Sequence, residues 1–559
     1  MNRPENPSTD DARLLTALVG ENSRALTLGG MASILAAFLF IAELAAIALA
    51  IDSVLRISSS EAALHYLALF MLLALVRIAA EGLSSHVLAT AAEAVKLRTR
   101  TRLVDALTEI SPVDKRRPHA GEIASLITSH VEALGPYLTR YHAARLRAAI
   151  VPLFVLAVTA CFSWAATIVL MVAGPLIPVF MALIGGKARI ASEKQLQEVG
   201  SMNGALLDRL QGLTTLKLFD AVPRAAATLL KEGNSIRTRT MTVLQIAFLS
   251  SAVLELFSAL GVAFVAVYVG FNLLGHVSFG AYGELTLSAG LFVLMIAPEY
   301  FRPLRDFAAA YHERAAALAA CREIGSLLEG NWIALPQRTR NLEPLRSLHA
   351  AQAKLTISGK TIIPAFGLCI ERGERVALIG QSGSGKSMLL ALFGRLIAPT
   401  EGKILVNHDA ETNCDVAWLG QRPAFLQGSL ASNLCLYRSE PAQAELASAI
   451  GLANAQRVVE KFSRGYHEII RENAANVSGG EAQRLAIARL ALSHADLILA
   501  DEPTEHLDDE TAQAVIDGMF SLAQGRTLIV ATHDPRIVKR ASRIIDVATL
   551  AGGHNGAAA

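Results

Sequence analysis

Gly380, Gln381, Ser382, Gly383, Ser384, Gly385, Lys386 and Ser387 follow directly on the apolar run Arg375–Ile379. This is the GxxxxGK[ST] pattern of a phosphate-gripping loop between a strand and a helix. Its glycines let backbone N–H groups turn inward around phosphate oxygens, and the helix that opens with Lys386, Ser387 and Met388 offers them its positive end. Lys386 is expected on the β- and γ-phosphates and Ser387 on Mg²⁺. Gln381, Ser382, Ser384 and Met388 complete the expected nucleotide contacts.

Reading outward, the run Leu497-Ile498-Leu499-Ala500 ends in two carboxylates, Asp501 and Glu502. Asp501 suits Mg²⁺. Glu502 is placed to orient and deprotonate an attacking water, because phosphoryl transfer depends mainly on positioning and charge stabilisation. Between these motifs, Val477, Ser478, Gly479, Gly480 and Glu481 precede a helical stretch. Ser478 caps it and makes a second anion-binding helix end, which implies that nucleotide is held from two sides. His533, after the strand Thr527–Thr532, can donate to a γ-phosphate, and Gln421, after Trp418-Leu419-Gly420, can reach the metal.

The rest of the chain is of another character. Of its 559 residues, 52% are hydrophobic and 18% charged, with a mean hydropathy of +0.40, against about 25% charged in ordinary globular chains. A net charge of +2 argues against a nucleic-acid partner. The five cysteines lack CxxC spacing, so neither a disulfide framework nor a cysteine zinc site follows. A membrane helix needs about 20 mainly apolar residues. Six candidate spans lie at Leu28–Ile51, Ala62–Ala80, Ala148–Phe162, Ala165–Ile184, Ile246–Leu274 and Leu285–Pro298. The third and fourth form a tight hairpin at Ser163 and Trp164. Basic residues crowd Lys96–Arg147 and Lys187–Arg239, whereas the opposite connectors offer only Arg56. By the positive-inside rule both long segments, both termini and the nucleotide site are cytoplasmic. No signal peptide is expected in Met1–Arg24.

The predicted architecture is a membrane all-α, six-helix exporter domain followed by an α/β P-loop ATPase domain. Its divisions are a cytoplasmic segment (1–25), the membrane domain (26–328), a linker (329–350), the nucleotide-binding domain (351–552) and a Gly/Ala tail (553–559). Short runs such as Lys403–Val406 and Asp415–Leu419, alternating with helices, predict a parallel sheet.

The order P-loop, Gln421, Val477–Glu481, Asp501/Glu502, Glu505–Asp508 and His533 resembles the nucleotide-binding domain of ABC transporters, and the membrane part resembles the type IV exporter fold. The resemblance implies a dimer in which Ser478, Gly479, Gly480 and Glu481 of each subunit close over ATP on the other. Stretches such as Gly174–Gly185, Leu207–Phe219, Ala247–Ser251 and Ala297–Asp306 are similar to the D subunit of the CydDC exporter family. That likeness implies a heterodimer with a CydC-like second half-transporter in the bacterial inner membrane, and a link to cysteine and glutathione export, haem binding and cytochrome bd assembly. Three readings remain open: a thiol exporter, a haem transporter or haem-dependent assembly factor, and a homodimeric lipid or drug exporter. Two departures stand out. Val477 and Glu481 replace the usual Leu and Gln of the signature, and Lys354–Lys360 lacks the usual adenine-stacking aromatic.

For cargo, Glu43 and Glu255 fall inside expected spans, where a carboxylate needs a partner or water. Each is a candidate cargo or proton site, and Tyr311 a cargo candidate; an interhelix hydrogen bond or a carboxyl group kept neutral is the other reading for both glutamates. Arg77 and Glu81, four apart, can pair. Lys115, Arg116 and Arg117 read as a topology signal or lipid contact.

Overall fold

The computed structural model describes residues 9–20, 22–55, 60–176, 209, 212–277, 279–336, 342–421, 423–436, 441–471 and 476–552. The end of the expected fourth span (177–184), parts of two family-like stretches (177–185, 207–208 and 210–211), Arg56 and the tail lie outside the described residues. The chain divides into two compact units, one of residues up to Val104 with His119–Gly330, the other of Asp105–Pro118 with the chain from Asn331 onward.

The first unit is helical. Its elements are α1 (Thr9–Gly20), α2 (Ser23–Leu55), α3 (Ser60–Glu109), α4 (His142–Phe162), α5 (Trp164–Leu176), α6 (Val222–Leu273) and α7 (Leu287–Leu328). Four stretches among the described residues are long and apolar enough to cross a membrane: Ser23–Leu55, Glu61–Glu109, Ala120–Phe162 and Ala252–Leu273. The expected sixth span forms the start of α7, a helix that runs on through Pro298 and Pro303, and it is not among these four. Glu299 and Arg302 follow its apolar start closely.

Burial separates the helices. In α2, 44% of the apolar window is buried, against 6% in α3. The first is thus a packing helix, while α3 turns Met71, Leu72 and Leu75 outward, as a lipid-facing helix does. Ile41 and Leu44 of α2 pack with Val155 of α4, Leu170 of α5, Val265 of α6 and Ile296 and Phe301 of α7. Two glycines permit the close approach. A Cβ on Gly174 would stand 2.0 Å from the Tyr300 hydroxyl, and one on Gly261 would stand 2.4 Å from the Phe301 ring. Membrane helices lack a hydrophobic force between them and rely on such close contact.

The second unit holds two sheets. β1 (Ser347–Ile357), β2 (Lys360–Glu371) and β4 (Glu401–Val406) form an antiparallel sheet in the order β2-β1-β4. Ser358 and Gly359, both with positive φ, make the two-residue turn between β1 and β2. Lys403–Val406, expected in the parallel sheet, therefore pairs elsewhere: β1 offers it an antiparallel edge, Leu348 opposite Val406. β1 itself begins at Ser347, inside the expected linker. The parallel sheet has the order β10-β3-β9-β8-β5. Here β3 is Arg375–Ile379, β5 Val416–Leu419, β8 Leu497–Asp501, β9 Thr527–Ala531 and β10 Arg543–Asp546. The short pair β6 (Gly428–Ser429) and β7 (Ile469–Ile470) lies apart. Strands β8 and β9 are almost wholly buried, which explains their unbroken apolar runs.

Asp105–Pro118, the end of α3 with the segment that follows it, packs inside this second unit. Ser111 N–H donates to Ile333 C=O at 2.8 Å and its hydroxyl to Leu396 C=O at 2.5 Å. Asp114 accepts from Ile333 N–H at 2.9 Å and from Arg116 at 2.8 Å, and Arg116 also donates to Asn331 C=O. These bonds hold the Asp114 carboxyl well below the usual carboxylate range, Arg116 contributing most. Arg116, expected as a topology or lipid residue, thus closes a polar clasp over the buried Asp114 while itself half-exposed, which sequence proximity to Lys115 and Arg117 could not reveal.

Candidate active site

The site grows from the carboxyl ends of three adjacent parallel strands, β3, β9 and β8, where α/β sheets bind ligands. Gly380, Gly383 and Gly385 carry φ values of 147°, 82° and 100°, the left-handed region open to glycine, so the loop after β3 can fold its N–H groups inward. It passes into α8 (Lys386–Phe393), whose Leu389, Leu390 and Leu392 are fully buried. The loop is thereby seated on the core.

Lys386 gathers the site. Its ammonium donates to Gly380 C=O at 2.9 Å and Gln381 C=O at 3.3 Å, contacts His533 Nε2 at 3.0 Å and lies 3.8 Å from Glu502 Oε1. His533 Nε2 is 3.2 Å from the same Glu502 oxygen, and His533 N–H donates to Glu502 Oε2 at 3.2 Å. Glu502 stands at φ 46° with its N–H tied to Ala531 C=O at 2.9 Å. A non-glycine residue in that region stores about 1–3 kcal/mol, held here by the strand pair around it. Burial raises the Glu502 carboxyl above its ordinary value, against the pull of His533 and Lys386.

Asp501 is different. It accepts a hydrogen bond from Ser387, and burial outweighs that bond and Lys386 to raise its carboxyl as well. Its Oδ1 is buried with no hydrogen-bond partner, and so is the Ser384 hydroxyl. A buried acceptor left without a partner costs about 1–3 kcal/mol, so such an atom marks a place for a ligand. Ser387 and Asp501 are hard oxygen donors of the kind Mg²⁺ takes. Among the described residues no three His, Cys, Asp or Glu side chains cluster as a metal cage.

Gln421 has partners of its own. Its side-chain amide donates to Glu505, and its backbone C=O accepts from Gln483 at 2.8 Å. Gln483, buried at 3% exposure, also donates to Gly420 C=O at 3.3 Å and fixes the loop after β5. Sequence reading missed Gln483; its signal is a long amide on the otherwise apolar buried face of its helix.

Ser478, Gly479, Gly480 and Glu481 form another corner. Ser478 caps α9 (Gly479–Ala491): its hydroxyl accepts from Glu481 N–H at 3.4 Å, and Glu481 Oε2 accepts from Ser478 N–H at 3.0 Å. This is a reciprocal capping box. A Cβ on Gly479 would meet nothing within 4 Å, whereas one on Gly480 would press to 2.2 Å from Thr511. The first faces open space and the second is fixed by packing. Glu481 Oε1 pairs with Lys461. Burial pushes the Glu481 carboxyl up, but Lys461 and the Ser478 bonds outweigh it, and the group stays below its ordinary value.

The cargo candidates do not converge. Glu43 is 1% exposed and accepts from Arg77 at 2.7 Å, while Arg77 also donates to Glu81 at 3.0 Å and lies over Phe40. The bond between α2 and α3 accounts for the burial of Glu43. Glu255 and Tyr311 are exposed.

Comparison with known proteins agrees with this geometry. Residues 26–298 match the family model for the ABC transporter transmembrane region, and 365–505 the model described as ABC transporter. The chain is 34% identical, over 80% of its length and 77% of the relative's, to the glutathione/L-cysteine transport system ATP-binding/permease protein CydD of Haemophilus influenzae. It is 25% identical, over 76% of its length and 73% of the other's, to the ATP-dependent lipid A-core flippase of Chromobacterium violaceum. In fold it matches a bacterial Atm1-family ABC exporter with ATP bound, with TM-score 0.72 at 19% identity over 95% of this chain and 94% of that one. A helical membrane unit joined on one chain to an ATPase unit that couples ATP hydrolysis to transport places this protein in the ABC transporter family, among the exporters that resemble CydD and CydC.

Proposed function

We propose that the chain is one half of a heterodimeric exporter that uses ATP to move cysteine or glutathione outward across the bacterial inner membrane, in support of cytochrome bd assembly. The carrying observation is the 34% identity, through both units, to a relative named as a glutathione/L-cysteine transport protein. The excess of basic residues in the two long connecting segments supports cytoplasmic termini and a cytoplasmic ATPase unit.

In this reading Lys386 and the loop from Gly380 to Met388 hold the phosphates of the chain's own nucleotide. Ser387, Asp501 and Gln421 would hold Mg²⁺, which when bound neutralises charge developing between the β- and γ-phosphates. Glu502 orients a water and accepts its proton. His533, already against Glu502 and Lys386, keeps the base in register and donates toward the γ-phosphate. Ser478, Gly479, Gly480 and Glu481 serve the nucleotide held by the partner, and ATP shifts the equilibrium to the extent that it binds the closed pair more tightly than the open one.

The test is ATP-driven uptake into inverted membrane vesicles that carry this chain with a CydC-like half-transporter as its proposed partner. Saturable uptake of cysteine or glutathione, with matching stimulation of ATP hydrolysis, is expected. Stimulation by haem alone, or turnover by a pure homodimer with lipid, would replace the thiol reading.

A further inference from the structure

We propose that Lys461 is a positioning residue for ATP turnover: it neutralises Glu481, so that the helix end at Ser478 can accept a phosphate despite a carboxylate in its first turn. The inference rests on the reading of Ser478–Glu481 as the surface that meets the partner's nucleotide.

A glutamate three residues after the cap is a good helix starter but a poor neighbour for a polyphosphate. Its charge would oppose the attraction that the helix end supplies. Here both carboxylate oxygens are engaged. Oε2 is turned back to the Ser478 N–H at 3.0 Å, and Oε1 meets the Lys461 ammonium. The Glu481 side chain is 14% exposed and that of Lys461 68% exposed, so the cation lies outermost of the two. Lys461 is set there by its neighbours. It ends the short helix Gln456–Glu460, and Val458 is buried while Val459 and Phe462 pack on the same apolar core as α9. That anchorage fixes the backbone from which Lys461 reaches across. The open space over Gly479 beside this pair leaves room for a ligand. The arrangement gives a helix end with capping-box geometry and no net charge from its acidic member, equivalent in charge to one with glutamine at the third position.

The experiment is a double-substitution cycle on the full-length transporter purified from membranes, with ATP KM and kcat measured at two salt concentrations. Lys461→Ala is expected to raise the KM for ATP by about fivefold with kcat and melting temperature nearly unchanged, an effect of the size that a removed charge partner produces at a partly exposed site. High salt shrinks this defect, since screening acts on the bared carboxylate. Glu481→Gln keeps the capping box and is expected to lower KM about twofold. In that background Lys461→Ala only gives back this twofold gain, returning KM to about the natural value, because no bared carboxylate is left behind. If Lys461→Ala raises KM equally in both backgrounds, or leaves it unchanged in the natural one, the proposal is overturned. Ser478→Ala tests the underlying reading separately: if ATP turnover ignores it, the helix end is no nucleotide surface, whatever Lys461 does.

Discussion

The Glu43 cluster of the membrane unit and the phosphate site of the ATPase unit treat buried charge in opposite ways. In the membrane unit, Glu43, Arg77 and Glu81 satisfy one another, with Glu43 nearly inaccessible and each bond between 2.7 and 3.0 Å. In the ATPase unit, Asp501 keeps a buried oxygen without a partner, Ser384 a buried hydroxyl, and Glu502 sits in strained backbone against a histidine and a lysine. A closed polar network is architecture, because every desolvated group has recovered its hydrogen bonds. An open one is a site, because the missing partners must arrive with a ligand.

The largest test of that contrast is Glu502→Gln. Loss of a positioned base costs about 10²–10⁴-fold, so hydrolysis should nearly vanish at any site this chain serves while ATP binding persists. Unaltered turnover in an assembly whose other site has been inactivated would break the assignment. Next comes Glu43→Ala, which removes one of the two carboxylates that Arg77 meets and should destabilise the membrane unit by about 2 kcal/mol, the worth of a hydrogen bond to a charged group. Thermal unfolding in detergent checks this. Replacing both partners with apolar residues should recover most of the loss, and a Glu43→Ala protein of normal stability with impaired cargo stimulation would instead make Glu43 a cargo residue.

Smaller effects follow from the raised carboxyl of Glu502. A free glutamate titrates near about 4.3. Because the folded value is higher, the carboxylate needed as base is lost at a higher pH as acid is added, so the acid limb of the kcat/KM profile, which reports the free enzyme, should lie above that of an ordinary glutamate. The sign for stability is the reverse of an ion-paired acid. The folded state holds the proton more tightly, so stability falls as pH rises through this window, and at neutral pH Glu502→Gln should raise the melting temperature. A lowered melting temperature would sink that account. The least effect is expected from Ser111→Ala, which removes the hydroxyl's bonds to Leu396 C=O and from Val113 N–H and should cost about 1 kcal/mol in the stability of the ATPase unit, read by hydrogen exchange around Leu396.

What could be read in advance divides along chemical lines. The P-loop, Asp501, Glu502 and His533 were legible because phosphate chemistry demands particular residue types at fixed short spacings, and the apolar runs before them could only be buried strands. Helix and membrane character were equally plain in composition. The antiparallel pairing of Lys403–Val406 was not, because a short β-branched run carries no mark of its partner. Nor was the clasp of Asp114 and Arg116 onto Ile333 and Asn331, formed over some two hundred residues of chain.

Sequence alone determined that ATP is gripped and cleaved here and that a membrane is spanned, since local spacing and apolar length suffice for both. Tertiary structure decided which charges are already spent. Glu43 meets Arg77, Glu481 meets Lys461, and Asp501 keeps an oxygen to spare, because whether a buried charge is satisfied depends on groups brought to it by folding, not on its neighbours along the chain.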